Sequence, residues 1–518
     1  MDVLPRDIGD LVDHWAARIP DSEAARCGSE HWTWSEWADR VRRNAGGQLA
    51  AGLRPGDRVA YLDKNDPRCL ETTLACARIG TTNAAVNFRL AAEELAYILK
   101  DSQAVLVFVG AEFVPLFDQI RDSLPDVRQV VVVGGEHDEY EAWLAAAEPV
   151  TERVPAEETD CFLQLYSSGT TGFPKGAMLT HRGMTAHSRA TAQDTDINRD
   201  AVIMVPMPLF HVGGSSWALT ALYYGARIVV VRDINPVTFL DELVDQQVTH
   251  TFIVPAVFGF LVQIPGVAQR DYSHLKALVY GASPMPLPLL RRAMEVFPVD
   301  FRQVYGMTEA SGAVTALGPE EHRDIANERR LSSAGLPAPG VELAIIDPIT
   351  QEKLGPEQTG EVWVRTAQLM SGYWHKPEAD ADTLVGDGWL RSGDAGYLDE
   401  DGYLYIADRV KDMIISGGEN IYPAEIERVL VEHPSVAEVS VIGVPDEKWG
   451  EVPKAIVVST PDTQPDAEAL LGFCREHLAS YKCPKTVEFM AELPRNATGK
   501  VLKRQLREPY WQEQTRAI

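Results

Sequence analysis

Short apolar runs and helix-period stretches alternate over the first four-fifths of the chain, and this alternation constrains the fold more than any other feature. Gly56-Asp57 turns into the apolar run 59–62, a helix-like stretch over 90–99 leads to 105–109, and another helical stretch reaches 130–133. Strands separated by helices read as βαβ units, with sheets covered on both faces. An acidic segment, 136–160, reads as a loose connection between subdomains; the alternation then resumes with strands at 227–231, 251–254 and 277–280.

Composition changes near residue 400. From Trp389 the chain reads as turn-rich strands, and beyond Lys411 as a compact α+β pattern. Pro423 suits a first helical turn with Ile426, Val429 and Leu430 on one face; 438–444 and 455–458 read as strands and 467–478 as a second helix. At 518 residues the chain exceeds what one core serves, since single cores stop growing near ~250–300 residues. The expectation is an α/β fold with a large N-terminal region, 1–410, and a small mobile α+β domain, 411–518, divided at Asp408-Arg409-Val410-Lys411-Asp412.

The formal net charge of -27 argues against nucleic acid, whose phosphates require a basic surface. No run is long and uninterrupted enough for a membrane span: the most apolar segment, 252–268, is broken by Pro255, Gly259, Pro265 and Gly266. The six cysteines form no CxxC pair, and the first ten residues lack the pattern of a secretory signal. A cytoplasmic protein is expected, with a homodimer and a peripheral membrane contact left open.

The segment Tyr166-Ser167-Ser168-Gly169-Thr170-Thr171-Gly172-Phe173-Pro174-Lys175-Gly176 carries the sharpest chemistry. Its glycines free the backbone so that amide groups can converge on an anion, its hydroxyls add donors, and Lys175 adds a cation. It is a phosphate cradle set between an apolar strand, 162–166, and a helix-like stretch. It differs from the GxxxxGK[ST] loop, because Gly176 follows the lysine where that loop has a hydroxyl for magnesium.

Four distant segments join it: Tyr305-Gly306-Met307-Thr308-Glu309, Arg391-Ser392-Gly393-Asp394, Asp408-Arg409-Val410-Lys411-Asp412, and Pro494-Arg495-Asn496-Ala497-Thr498-Gly499-Lys500. In this order and over this length the chain resembles the adenylate-forming superfamily of acyl-CoA synthetases, peptide-synthetase adenylation domains and luciferases. Gly417-Gly418-Glu419-Asn420-Ile421-Tyr422-Pro423 and Pro445-Asp446-Glu447-Lys448-Trp449-Gly450-Glu451 are similar to the acyl-CoA ligase branch, closest to medium- and long-chain fatty-acyl-CoA synthetases.

The resemblance implies an ATP-dependent ligation of a carboxylic acid to coenzyme A through an acyl-adenylate, releasing AMP and pyrophosphate. The acid would be a medium- or long-chain fatty acid, with an aromatic or steroid-side-chain acid as the alternative. It implies that Ser167, Ser168, Gly169, Thr170, Thr171, Gly172 and Lys175 hold the ATP phosphates, and that Thr170 and Glu309 place Mg²⁺. Gly281 and Ala282 would line adenine, Tyr305 stack on it within Gly306 and Thr308, and Asp394 and Arg409 take the ribose. His211, in Pro208-Leu209-Phe210-His211-Val212-Gly213-Gly214, would stand beside the acyl pocket, which 252–268 and Val212-Gly213-Gly214 could line. Lys500 would act in adenylation, Gly418 line the CoA tunnel and Lys411 be the hinge.

Overall fold

The computed structural model describes residues 3–167, 174–409, 412–416, 419–446, 448–461, 463, 466–478, 480, 482–495 and 501–511. They divide into two compact units, one of Met1–Leu343, Trp363–Arg391 and Gly402–Leu404, the other of Ala344–Val362, Ser392–Asp401 and Tyr405–Ile518.

The first unit holds two sheets. One runs Gln129–Val133, Ala104–Gly110, Arg58–Leu62, Thr82–Ala85, Cys161–Ser167, Lys175–Thr180, parallel except for the last pair. The other has nine strands, in the order Leu336–Pro337, Gly312–Leu317, Asp300–Met307, Ala277–Gly281, His250–Ile253, Val202–Val205, Arg227–Val230, Glu23–Cys27, Glu30–Thr33. Its middle is parallel and its margins are antiparallel. Parallel strands need crossovers, and the helices supplying them cover the sheets. Helices Trp34–Ala50, Pro67–Ile79, His181–Thr195 and Val212–Tyr223 share one buried cluster with both sheets, including Trp15, Trp34, Trp37, Phe108 and Val205. Separate clusters join Ala92–Ser102 to the six-stranded sheet, and Pro236–Asp245, Pro255–Leu261 and Leu287–Val296 to the nine-stranded one.

Local chemistry sets these elements. Helix Trp34–Ala50 starts at a capping box: the Glu36 amide donates to Thr33 Oγ1 at 3.3 Å, and the Thr33 amide donates to Glu36 Oε2 at 2.8 Å. Its buried face carries Trp37, whose indole N–H donates to Glu71 Oε1 at 3.0 Å. Glu71 is fully buried, and also accepts from Arg40 and from the Tyr140 hydroxyl at 2.8 Å. Burial pushes the Glu71 carboxyl up, and Arg40 opposes that shift. A buried carboxylate is tolerable only when paired and hydrogen-bonded in this way.

Two sequence expectations change. The acidic segment 136–160 is not merely a loose connection: it contains helix Tyr140–Ala146, with Tyr140 and Leu144 buried and Trp143 packed against the core. Its exposed acids hide that apolar face in the composition. After the glycine-rich loop comes a strand, Lys175–Thr180, where a helix-like stretch was expected; the helix begins only at His181. Pairing with Cys161–Ser167 decides the matter, because short runs take strand form from their neighbours more than from intrinsic preference.

In the second unit, Glu419–Ile421, Ile414–Ser416, Gly450–Ser459 and Val436–Asp446 form an antiparallel sheet, and Thr486–Met490 adds in parallel to Gly450–Ser459. Helices Pro423–Leu430 and Ala467–His477 cover it through Ile426, Leu430, Leu470 and Cys474. A large α/β region with a smaller C-terminal α+β unit is the expected fold class.

Candidate active site

The two ends of the glycine-rich loop are neighbours in the sheet: Ser167 lies opposite Lys175. The strand's end is pinned by Tyr166, whose hydroxyl donates to Asp101 at 2.9 Å. Ser168, Gly169, Thr170, Thr171 and Gly172 lie outside the described residues.

Beside these ends stands Tyr373. The segment around it runs along Lys175–Thr180, through Met178 N–H to Gly372 O at 2.9 Å and Trp374 N–H to Gly176 O at 2.8 Å. Its hydroxyl donates to Glu309 Oε1 at 2.8 Å, and Ser167 and Thr383 hydrogen-bond the same phenol. Lys175 Nζ sits 5.1 Å from the centre of its ring, within cation–π range. Burial, then the Glu309 carboxylate, push the Tyr373 phenol up, so it stays protonated and donating. Ser167, Lys175 and Glu309 are therefore brought together around one side chain that sequence reasoning missed. No local pattern marks it, because Glu309 lies 64 residues away along the chain.

Glu309 sits on a short 3-10 turn, Thr308–Ala310, that follows strand Asp300–Met307 and also carries Thr308. Gly281 ends the neighbouring parallel strand and pairs with Val304. A Cβ at Gly281 would lie 2.2 Å from Val304 O, and one at Gly306 2.0 Å from Gly312 O, so neither position admits a side chain. Ala282 follows with φ at 65°, a left-handed conformation uncommon outside glycine. Tyr305 is half-buried in strand Asp300–Met307, opposite Thr315. Gly281, Ala282, Tyr305, Gly306 and Thr308 thus cluster at the carboxyl ends of two adjacent strands, where open α/β sheets take ligands.

A pocket of about 750 Å³, counted to its open mouth, starts from these strand ends. Ala282, Gly306 and Gly312 line it near the motif, with Val212, Trp217 and Phe252 among its walls. A Cβ at Gly213 would come 2.8 Å from the Phe252 ring, so glycine keeps the space open. Of the expected lining, Val212, Gly213 and Phe252 contribute; Gly214 is packed against the Pro208 and Met207 carbonyls, while Phe258 and Leu261 belong to the cluster on the sheet's other side. His211 precedes helix Val212–Tyr223, half-buried, its ring 4.5 Å from that of Phe210.

Asp394 is buried in the second unit, on strand Trp389–Leu398, its amide donating to the Ser392 hydroxyl oxygen at 3.0 Å. The backbone of Arg409 ends strand Leu404–Arg409. Lys411, Gly418 and Lys500 lie outside the described residues.

For a hard cation such as Mg²⁺, which takes oxygen ligands and keeps several waters and phosphates, the donors fit: a half-buried Glu309 carboxylate with the Ser167 hydroxyl near it. Among the described residues no group of three or more His, Cys, Asp or Glu could hold a metal alone. A divalent ion here would rest on Glu309 and on its substrate's phosphates.

A loop of phosphate-binding composition, whose described strand ends meet Glu309 through Tyr373, and a pocket at sheet strand ends suit a nucleotide-using α/β site. The AMP-binding enzyme family model matches residues 12–374, and that of the AMP-binding enzyme C-terminal domain matches 425–500. The chain belongs to the AMP-binding enzyme family. It is 38% identical to a fatty acid–[acyl-carrier-protein] ligase of Streptomyces coeruleorubidus, over 97% of this chain and 96% of that one. It is 39% identical to a feruloyl-CoA synthase of an Amycolatopsis species, over 95% and 96%. The fold is similar to a solved Mycobacterium tuberculosis fatty acyl CoA synthetase, with a TM-score of 0.80 and 33% identity over 97% and 98% of the two chains.

Proposed function

We propose that this protein is an AMP-forming acyl-CoA synthetase that joins a carboxylic acid to the thiol of coenzyme A through an acyl-adenylate. The observation that carries this reading is the grouping of Ser167, Lys175 and Glu309 around Tyr373 next to a largely apolar pocket. Phosphates and an apolar acid can thereby be held within one unit of the chain.

Lys175 and the loop hydroxyls hold the ATP phosphates, and Tyr373 orients Glu309, which with Thr170 places Mg²⁺. The ion supplies charge neutralisation on the phosphates. Tyr305 stacks on adenine between Gly281-Ala282 and Gly306-Thr308; Asp394 and Arg409 take the ribose hydroxyls, and His211 guides the acid. Lys500 fixes a cation where negative charge shifts as the carboxylate attacks the α-phosphorus, which lowers that barrier. The thiol then attacks the acyl carbonyl and AMP leaves. Gly418 gives the pantetheine arm room, and Lys411 is the hinge that exchanges Lys500 for Gly418 between steps.

The acid is a medium- or long-chain fatty acid, supported by the fatty-acid relatives; the feruloyl-CoA relative supports an aromatic acid as the second reading. Acid-dependent exchange of pyrophosphate into ATP without CoA, and acyl-CoA only with CoA, is the test. Release of ADP and phosphate would refute the mechanism. Each buried CH₂ contributes up to roughly 0.8 kcal/mol, so kcat/KM should rise from short to medium acids. A preference for acetate, or for hydroxycinnamates over medium-chain acids, would refute the fatty-acid reading.

A further inference from the structure

The far end of the acyl pocket differs in kind from its walls. Along strand Asp300–Met307, Gly306 at the mouth and Arg302 are four residues apart, about 13 Å at strand rise. Along helix His181–Thr195, His187, whose ring fills the space beside Gly312, and Asp194 are seven residues apart, about 10 Å at helical rise. The pocket therefore runs from the nucleotide motif to a floor made by Asp194 with Thr191 and Thr195. Asp194 is half-buried, and its Oδ1 accepts from Arg302 at 3.1 Å.

Burial pushes the Asp194 carboxyl up, and Arg302 opposes that shift. Asp194 lines the pocket and Arg302 does not, so the pocket meets the carboxylate oxygens as acceptors, with the Arg302 cation paired to them from outside the lining. His187, which also lines it, is neutral near physiological pH: burial holds its imidazole down at about 4, and its ring nitrogens meet Gln368 and Thr191. A methyl terminus pressed onto this floor would strip water from the carboxylate and return no hydrogen bond, which is costly. A second carboxylate there would meet Asp194 with no free cation facing it among the described lining residues.

We propose that Asp194 reads the far end of the acid, so that the favoured substrates carry a terminal hydrogen-bond donor, a hydroxyl or an amine, on an apolar body. This rests on the acid-activating reading of the site and narrows its substrate class. It places a specificity determinant on a helix away from the nucleotide motifs.

The test compares matched acids by pyrophosphate exchange: nonanoic acid, its omega-hydroxy form and the corresponding diacid, then phenylpropanoic acid and its para-hydroxy form. A hydrogen bond to a charged acceptor predicts roughly 10- to 100-fold higher kcat/KM for at least one hydroxylated acid over its parent, with the diacid poorest. In the double variant Asp194→Leu/Arg302→Met the ratio should fall to about one, and in Asp194→Asn to an intermediate value. Each ratio is measured within one preparation, so partial unfolding cancels. Equal or better use of both parent acids by the wild type, or a preference that survives the double variant, overturns the proposal. Those results leave acid activation intact, whereas no exchange with any acid would remove the ligase reading itself.

Discussion

Replacing Tyr373 by phenylalanine removes one hydroxyl from a site where that hydroxyl organises three partners. It donates to Glu309 at 2.8 Å and is itself hydrogen-bonded by Ser167 and Thr383. A hydrogen bond to a charged group contributes roughly 1.5–3 kcal/mol. Glu309 is half-buried, so water can replace part of that, and the lower end of the range is the reasonable estimate for its lost orientation. At about 1.4 kcal/mol per decade, adenylation should slow about tenfold. The ring remains, so the contact of Lys175 with its face survives. The assay is pyrophosphate exchange at saturating acid, alongside conversion of supplied acyl-adenylate to acyl-CoA. The first should fall about tenfold and the second stay within about twofold, because Tyr373 acts by holding Glu309. Exchange at the wild-type rate, or equal losses in both half-reactions, would refute the positioning role.

Lys500→Ala should abolish adenylation and spare conversion of supplied acyl-adenylate, while Lys411→Pro, which fixes φ, should do the reverse; parallel loss of both half-reactions in folded variants contradicts the hinge. Burial holds His187 and His250 down at about 4, so below the ordinary value near 6.5 the unfolded chain takes protons the folded one refuses. Stability should therefore fall as pH drops from about 6.5 toward 4, by up to ~1.4 kcal/mol per unit for each histidine, and urea midpoints of His250→Gln should depend less on pH over that window. Gly46→Ala would set a Cβ 1.8 Å from Glu148 O and should cost at least ~1–3 kcal/mol, whereas Gly472→Ala, with open space in a helix, should gain ~0.5–1 kcal/mol; thermal melting decides both.

What the sequence disclosed follows the reach of its signals. The loop from Ser167 to Lys175 is contiguous, so its composition stands out, whereas the turn carrying Glu309 was singled out by the family resemblance. Period-2 and period-3.6 patterns located such elements as Arg58–Leu62, Ala104–Gly110, Ala277–Gly281, Pro423–Leu430 and Ala467–His477. Four features escaped for physical reasons. Tyr373 meets Glu309 64 residues away and Asp194 meets Arg302 108 residues away, and neither pairing leaves a local trace. Helix Tyr140–Ala146 hid behind the acids around it, and strand Lys175–Thr180 exists because a partner strand pairs with it.

The left-handed backbone at Ala282 has an evolutionary consequence. A methyl-bearing residue there carries about 1–2 kcal/mol of steric penalty that glycine would relieve. Glycine would in turn give the unfolded chain freedom worth about 0.4–1 kcal/mol, which offsets that relief in part. Exchange between these residues, a single base change, then shifts folding stability by at most about 1–2 kcal/mol. It is also felt in the pocket, because residue 282 lines it. On the proposed acid-activating reading, such a change alters the pocket's volume by one methyl group while the strands beneath it keep their pairing.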